Sequence, residues 1–306
     1  MFTRRRFLNS SALLSSLFFS GPGKALEPGQ PSRTARGAAL QRAAHQLLET
    51  PHVFDDPLAL RIFGAQGVAW LGRNLDRYRT NGARAMRAFL VMRSRYAEDQ
   101  LAQAVARGVT QYVVLGAGLD TFAYRNPHRR LRVFEVDHPS TQAWKRSQLQ
   151  AQSIDIPRSL SFAPVDFETQ TLADGLKAAG FRADRPAFFS WLGVTIYLSK
   201  EAVAGTLRTI AAGARGSQVV FDFAPPSNAI SEPERASRER SAAFVAKAGE
   251  PWINYYSPGP LADELRAAGY STARALGSDE MNERYFRSRS DGFRLYGSGQ
   301  MMTAQV

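Results

Sequence analysis

The sequence predicts an α/β domain with a mostly parallel sheet, preceded by a helical region. The first hundred residues show mostly helical spacing, whereas from residue 109 short apolar runs alternate with helical stretches, and a Gly-x-Gly turn follows the first run. Alternation of this kind is typical of βαβ units. The chain has 306 residues, of which 44% are hydrophobic and 22% charged, so it can bury the core of such a domain.

Residues 1–37 predict a leader followed by a linker. The run Arg4–Arg6 precedes a short apolar stretch, Ser11–Phe19, and residues 21–37 are rich in Gly, Pro and Ser. The pattern resembles a twin-arginine signal, which implies export of the folded protein through the twin-arginine translocase to the periplasm or the membrane. No small-x-small cleavage site precedes Lys24. The alternatives are a basic tail or a start codon upstream of the true one, and the protein is then cytoplasmic.

Residues 38–108 predict a helical cap. Apolar residues at helical spacing occupy Ala38–Thr50, and a second helix is predicted around Asp56–Gly64. A long third helix is predicted over Ala83–Arg107, where Gly108 ends it. The cap therefore precedes the first strand of the sheet.

Residues 109–224 predict the nucleotide-binding core, in which five strands alternate with helices. The predicted strands are Gln111–Leu115, Arg132–Val136, Ser161–Val165, Pro186–Trp191 and Gln218–Phe223, and the predicted helices are Ser140–Gln152, Leu172–Ala179 and Lys200–Ala212.

The last part of the domain is predicted to contain an insertion and a segment that returns to the sheet. Residues 225–260 are polar, with a helix near Ala236–Lys247, and are expected to cover a pocket. Residues 261–300 are expected to complete the sheet, with Phe293–Tyr296 as an extended segment at its edge.

Charge and composition exclude several kinds of site. The net charge of +12 would suit nucleic acid, but the arginines are dispersed among acids and no recognition motif accompanies them, so we predict no nucleic-acid partner. The absence of cysteine excludes disulfides and thiolate zinc sites. The four histidines have no ligand-like spacing, and we predict no metal; they are His45, His52, His128 and His138.

The strongest local signal is the strand and glycine turn Val113–Thr121. Gly116 and Gly118 would let a ligand approach the backbone more closely than a Cβ allows. Asp120 stands where dinucleotide folds place the pyrophosphate on a helix N-terminus, and a carboxylate there repels phosphate. It would suit an ammonium, such as that on the methionyl end of S-adenosyl-L-methionine. Thr121 also replaces the third glycine of the dinucleotide motif.

Two further acids follow the next two predicted strands. Asp137 lies about twenty residues after the first glycine, where an acid can accept hydrogen bonds from both ribose hydroxyls. Asp166 could accept from an adenine amine while Phe167 covers the ring. Ligands of open α/β sheets gather at the carboxyl ends of strands, so three acids there support one site. The alternatives are that Glu135 or Asp137 caps the following helix and that Asp166 is a solvated loop acid.

These motifs resemble the leucine carboxyl methyltransferase family, particularly its bacterial branch of O-methyltransferases. The resemblance covers roughly residues 38–297, and the matching blocks include Arg93–Tyr96, Val113–Arg125, Phe134–Pro139, Pro164–Glu168, Phe188–Leu198, Gly249–Pro251 and Asp291–Arg294. It implies a class I methyltransferase fold, which is Rossmann-like, with seven strands of which one is antiparallel and with an N-terminal helical cap.

The resemblance also implies the cofactor and the role of one more residue. The cofactor would be S-adenosyl-L-methionine, and an arginine of the Arg93–Arg95 block, for which we take Arg93, would pair with the donor's carboxylate. Trp191 stands in a region where relatives can carry an acid.

The predicted function is S-adenosyl-L-methionine-dependent O-methylation of a carboxylate or hydroxyl on a small molecule. Methylation of a carboxylate needs no general base, and we name no catalytic residue. Four residues could border the acceptor but also fit packing or capping roles: Tyr197, Tyr255, Tyr256 and His138. The alternatives are an NAD(P)-dependent oxidoreductase on a Rossmann fold and an exported, non-catalytic binding protein. The sequence indicates neither the acceptor nor the oligomeric state.

Overall fold

A seven-stranded sheet is the centre of the fold. The structure, a computed structural model, describes residues 32–167 and 169–306. Its strands are β1 Gln111–Leu115, β2 Arg132–Asp137, β3 Leu160–Pro164, β4 Phe188–Trp191, β5 Gln218–Phe223, β6 Thr272–Leu276 and β7 Gln300–Gln305. They lie in the order β3-β2-β1-β4-β5-β7-β6, and β7 is antiparallel to both of its neighbours.

Helices cover both faces of the sheet, because consecutive side chains of a strand point to opposite faces and β1 is buried along its whole length. In β1, Tyr112 and Val114 face one core and Val113 and Leu115 face the other. The helices that follow the strands are α6 Phe122–Arg125, α7 Pro139–Ala151, α8 Leu172–Ala178, α9 Lys200–Ala211, α11 Pro258–Ala267 and α12 Ser278–Tyr285. None of the helices in the described ranges is long and apolar enough to cross a membrane.

The cap is formed by two segments that are distant in sequence. The N-terminal part contains α1 Arg33–Leu48, α2 Leu58–Arg61, α3 Gly64–Arg73, α4 Leu75–Arg79 and α5 Asn81–Ala106, and the insertion contains α10 Glu232–Lys247. A buried ion pair joins α1 to α5, because Arg87 Nη2 lies 2.6 Å from Glu49 Oε1. Glu49 in turn contacts His45 at 2.9 Å, so the first and last helices of the N-terminal part of the cap are fixed to each other.

The structure differs from the expectations for the cap in three ways. Helix α1 begins at Arg33, where Ser32 Oγ accepts a hydrogen bond from Ala35 N, so residues 33–37 are helical rather than linker. Helices α3 and α4 were not predicted. The helix predicted around Asp56–Gly64 is present but shorter, because α2 ends at Arg61 and a separate helix, α3, starts at Gly64. The predicted leader, up to residue 31, lies outside the described residues.

The prediction that Phe293–Tyr296 joins the edge of the sheet is wrong. The Phe293 ring is buried away from the sheet edge, stacked on His45 at 5.6 Å with the Arg289 guanidinium 5.2 Å from its centre. The strand that returns is β7, which lies inside the sheet between β5 and β6 and ends at Gln305, beyond the predicted limit of residue 300.

Candidate active site

The carboxyl ends of the parallel strands form the floor of a large cavity. Leu115 pairs with Val136 on one side and with Trp191 on the other, so the residues that follow these three lie at one edge. The cavity has a volume of about 2180 Å³. It is lined by all seven predicted donor-site residues: Arg93, Gly116, Gly118, Asp120, Asp137, Asp166 and Phe167.

The turn after β1 requires glycine both because of its backbone conformation and because neighbouring residues leave no room for a Cβ. Gly116 has φ +65°, and a Cβ there would lie 2.3 Å from Val194 Cγ2. Gly118 has φ +47°, and a Cβ there would lie 3.2 Å from the Ala35 Cβ of α1. The loop after β4 and the start of α1 therefore close on the turn from two sides, a reason for glycine that the sequence pattern did not indicate.

Replacing Gly116 with alanine is expected to destabilise the fold by about 2–5 kcal/mol, because it adds left-handed backbone strain to an overpacked contact with Val194. Urea unfolding measures the loss. The control is Gly205→Ala in α9, where nothing lies within 4 Å and alanine is expected to stabilise the helix by up to about 1 kcal/mol. Equal stability of Gly116→Ala and the unaltered protein would contradict the prediction.

Asp137, at the end of β2, points into the cavity with two hydrogen bonds already made. Its Oδ2 accepts from Gly118 N, and its Oδ1 accepts from His138 N at 2.7 Å. Burial raises the pKa of the Asp137 carboxyl, while these two backbone N–H groups oppose the shift. The helix after β2 is capped instead by His138, whose Nδ1 accepts from Ser140 N, so neither Glu135 nor Asp137 caps it. A carboxylate offers about four lone pairs, which leaves about two for a ligand.

The side chains of Asp120 and Thr121 make hydrogen bonds that stabilise the turn. Asp120 Oδ1 accepts from Phe122 N at 2.8 Å at the start of α6. Thr121 Oγ1 donates to the buried Asp56 at 2.8 Å, and Arg42 Nη2 donates to Leu119 O at 2.6 Å. Cap residues from α1 and the loop before α2 thus fix the position of the turn.

The end of β3 supplies an aromatic wall. Phe167 lies against Trp191, with 6.0 Å between ring centres, and Trp191 itself is fully buried. The turn that carries Asp166 is held by Gln170, whose Oε1 accepts from Asp166 N at 3.0 Å. The structure therefore assigns Trp191 to the core beneath Phe167 rather than to an acidic role.

Arg93 enters the cavity from α5 and pairs with an acid that the sequence analysis missed. Its Nη1 lies 2.9 Å from Asp222 Oδ2, and both side chains are almost buried. Asp222 lies in β5, and its other carboxylate oxygen accepts from Gly193 N. An acid near the carboxyl end of a mostly apolar strand was the signal that could have revealed Asp222, by the same rule that selected Asp137 and Asp166.

The two segments of the cap meet at Glu250, which caps the N-terminus of α1. The Glu250 carboxylate accepts from Arg33 N at 2.8 Å, from Thr34 N at 3.3 Å and from Ser32 Oγ at 3.0 Å, and also from Thr34 Oγ1. A carboxylate there satisfies free amides and interacts favourably with the helix dipole. Glu250 thereby fixes α1 over the glycine turn.

Replacing Glu250 with alanine is expected to loosen the first turn of α1 without unfolding the domain. The Arg33 and Thr34 amides would lose their acceptor, so their hydrogen exchange should accelerate by about tenfold or more. Exchange measured by NMR or mass spectrometry tests this. The matched control is Glu239→Ala, an exposed position on α10. Unchanged exchange over residues 33–36 would contradict the capping role.

The remaining candidates divide between the cavity and the packing around it. Tyr197 lines the cavity, and burial raises the pKa of its phenol. Tyr255 and Tyr256 do not line it. Tyr255 lies 5.2 Å from the Arg238 guanidinium, and the Tyr256 hydroxyl accepts from Asn254 Nδ2 at 2.8 Å.

Residues 35–211, more than half of the chain, match the sequence model of the leucine carboxyl methyltransferase family. The chain belongs to this family. The matched region begins in α1 and includes the glycine turn and the acids after β2 and β3, so it covers all seven predicted donor-site residues.

Individual relatives agree with this family. YktD of Bacillus subtilis (strain 168), named as an inferred S-adenosyl-L-methionine-dependent methyltransferase, is 28% identical over 294 residues, covering 89% of this chain and 96% of YktD. A Mycolicibacterium gilvum (strain PYR-GCK) protein named in the same way is 31% identical over 265 residues, covering 79% of this chain and 83% of that protein.

A solved structure supports the fold. The crystal structure of an inferred methyltransferase from Thermobifida fusca YX matches with a TM-score of 0.54 at 14% identity, over 97% of this chain and 99% of that one. The predicted class I fold, the family, the enzyme class and S-adenosyl-L-methionine as cofactor are confirmed. The chain is therefore an S-adenosyl-L-methionine-dependent methyltransferase, while the roles of its individual site residues stay predictions.

Proposed function

We propose that this methyltransferase transfers the methyl group to an oxygen of a small molecule, and that a carboxylate is the favoured acceptor. The observation that carries the proposal is the composition of the cavity. It combines a donor-binding edge with an apolar chamber under the cap, where cations outnumber acids.

The proposed donor site uses the seven predicted residues. Arg93 pairs with the carboxylate of the donor and Asp120 with its ammonium, while Gly116 and Gly118 allow the close approach. The free lone pairs of Asp137 accept from the ribose hydroxyls, and Asp166 and Phe167 hold the adenine. The residues fit this ligand because Asp137 keeps acceptor capacity and because Phe167 presents an aromatic wall supported by Trp191.

The cavity is large enough for a second ligand beside the donor. A volume of 300–1,000 Å³ is typical of a site for one drug-sized molecule, and this cavity is about twice the upper value. Apolar side chains of the cap and of the core border it together, and they include Trp70, Met86, Phe89, Leu192, Phe244 and Tyr296. This composition suits an acceptor with a substantial apolar part.

The charges of the cap favour an anionic acceptor. The cations that line the cavity from the cap are Arg33, Arg36, Arg42, Arg77, Arg84, Arg93, Arg238, Arg240 and Lys247, of which Arg93 is assigned to the donor. Two cap acids line it as well, but Glu250 is bound to α1 and Glu234 accepts from Ser231 Oγ at 2.7 Å. Because cations outnumber acids on the cap side of the cavity, that side is expected to concentrate anionic ligands.

The titratable groups of the chamber favour a carboxylate over an alcohol. Among the described residues that line the cavity, His138 is the one histidine, and its ring caps α7 through contacts with Ser140. Tyr197 stays protonated at neutral pH because burial raises its pKa, so it can donate a hydrogen bond but not remove a proton. A carboxylate needs no base, and the sulfonium of the bound donor supplies the methyl group by in-line displacement.

The acceptor class can be tested with matched sets of compounds. Benzoic and lauric acids are offered together with benzyl alcohol, dodecanol, benzylamine and dodecylamine, using methyl-labelled donor. The expected products are methyl esters, which release labelled methanol in mild base, and their rate of formation should be flat from about pH 6 to 9. Base-stable products formed from the amines alone would contradict the proposal.

A further inference from the structure

The contact between Arg93 and Asp222 joins three separate elements at one point of the cavity wall. Asp222 Oδ2 lies 2.9 Å from Arg93 Nη1 of α5, and Asp222 Oδ1 accepts from Gly193 N in the loop after β4. The backbone carbonyl of Asp222 also accepts from Thr195 Oγ1 at 2.8 Å. A single residue of β5 therefore holds both the guanidinium and the loop that faces it.

Neighbouring residues restrict the position of the Arg93 guanidinium. Gly193 has φ +74°, and a Cβ there would lie 2.6 Å from Arg93 Nη2. On another side, the guanidinium carbon lies 5.9 Å from the centre of the Phe89 ring. Because the Arg93 side chain is only 12% exposed, its direction is set by these neighbours rather than by water.

We propose that Asp222 is a positioning residue of the donor site, which acts by holding the Arg93 guanidinium toward the carboxylate of the bound donor. This inference rests on the proposed role of Arg93. A guanidinium has five N–H donors in a rigid fork, so one of them can bind Asp222 while others bind a second carboxylate. The ion pair also orients the side chain before the donor binds, which lowers the entropic cost of binding.

The chemistry of the donor allows a sharp test, because only its amino-acid end would meet Arg93. S-Adenosylhomocysteine carries that end, whereas 5′-methylthioadenosine contains the adenosine and the sulfur but lacks it. Asp222→Asn keeps the size of the side chain and an oxygen for Gly193 N, but removes the charge that faces Arg93. We expect calorimetry on the full chain to show S-adenosylhomocysteine binding weakened by about tenfold or more, with 5′-methylthioadenosine binding unchanged.

The control is Asp184→Asn, which neutralises an exposed aspartate bound by Arg182 at 2.8 Å outside the cavity, and it should leave the affinity for both ligands unchanged. In an Arg93→Gln background, Asp222→Asn should cost little further affinity, because its partner is already gone. The comparison of Arg93→Gln with the double variant Arg93→Gln/Asp222→Asn leaves no unpaired charge in the double variant. It therefore tests the inference even if Asp222→Asn alone does not fold.

Three results would overturn the inference. The first is unchanged affinity for S-adenosylhomocysteine, the second is an equal loss of affinity for both ligands, which would mean a structural role only, and the third is additive losses in the Arg93→Gln background. If the proposed donor site itself is wrong, the result is distinguishable, because the unaltered protein would then bind neither ligand.

Discussion

Replacing Asp137 with alanine is expected to weaken binding of S-adenosylhomocysteine by about a hundredfold or more. Two hydrogen bonds from ribose hydroxyls to a carboxylate contribute about 1.5–3 kcal/mol each, and each 1.4 kcal/mol corresponds to tenfold in affinity. The same loss is expected for 5′-methylthioadenosine, because that ligand keeps the ribose. Calorimetric titration of both ligands measures the effect and separates Asp137 from Asp222, whose replacement should spare the second ligand.

The matched control for Asp137 is Asp155→Ala, which removes an exposed carboxylate that does not line the cavity. Circular dichroism must show that Asp137→Ala remains folded, since Asp137 also accepts from Gly118 N and His138 N. Undiminished binding of either ligand by the folded variant would exclude Asp137 as the ribose ligand.

Replacing Lys145 with methionine is expected to cause the largest loss of stability, and the loss should depend on pH. Lys145 Nζ lies 2.7 Å from Glu135 Oε2, and both side chains are 1% exposed. Burial raises the pKa of the Glu135 carboxyl to about 7, although the Lys145 ammonium opposes the shift. Breaking a buried pair by removing one partner costs about 3–5 kcal/mol, because the remaining charge is uncompensated.

The sign of the pH dependence follows from the raised pKa of Glu135. The pKa of a glutamate carboxyl is about 4.3 in the unfolded chain, so Glu135 binds its proton more tightly in the folded state. The protonated carboxyl therefore contributes to folding stability fully below about pH 4.3, and this contribution is lost as pH rises through about 7. Without Lys145 the folded pKa rises further. Lys145→Met should therefore cost about 3–5 kcal/mol at pH 8 and little at pH 5, where Glu135 is protonated. Urea unfolding at both values measures this.

The control is the double variant Glu135→Gln/Lys145→Met, which removes both charges and should recover most of the stability at pH 8. An equal loss from Lys145→Met at pH 5 and pH 8 would contradict the assignment, since a packing defect has no reason to titrate with Glu135.

The five parallel strands could be predicted from the sequence because each one is a short apolar run. The predicted and observed bounds of the first and fifth strands agree, and the third is shifted by one residue to Leu160–Pro164. The bounds of strands β6 Thr272–Leu276 and β7 Gln300–Gln305 were not predicted. Their place is determined by antiparallel pairing with β5 and with each other, which no local pattern specifies.

The proposed donor site was predictable for the same reason, since three acids and a glycine turn lie at the carboxyl ends of successive strands. The contacts that organise it were not. Glu250 and Ser32 are 218 residues apart in sequence, and Asp222 and Arg93 are 129 apart. Pairs of this kind depend on the tertiary fold, so the sequence could indicate Arg93 only through the family resemblance.

The most direct test of the central claim, that these residues form the methyl-donor site, is a calorimetric titration of the unaltered full-length protein with S-adenosyl-L-methionine and S-adenosylhomocysteine. We predict saturable binding of both at one site per chain, with affinities near micromolar, about −8 kcal/mol. Absence of binding by a protein that circular dichroism shows to be folded would contradict the account.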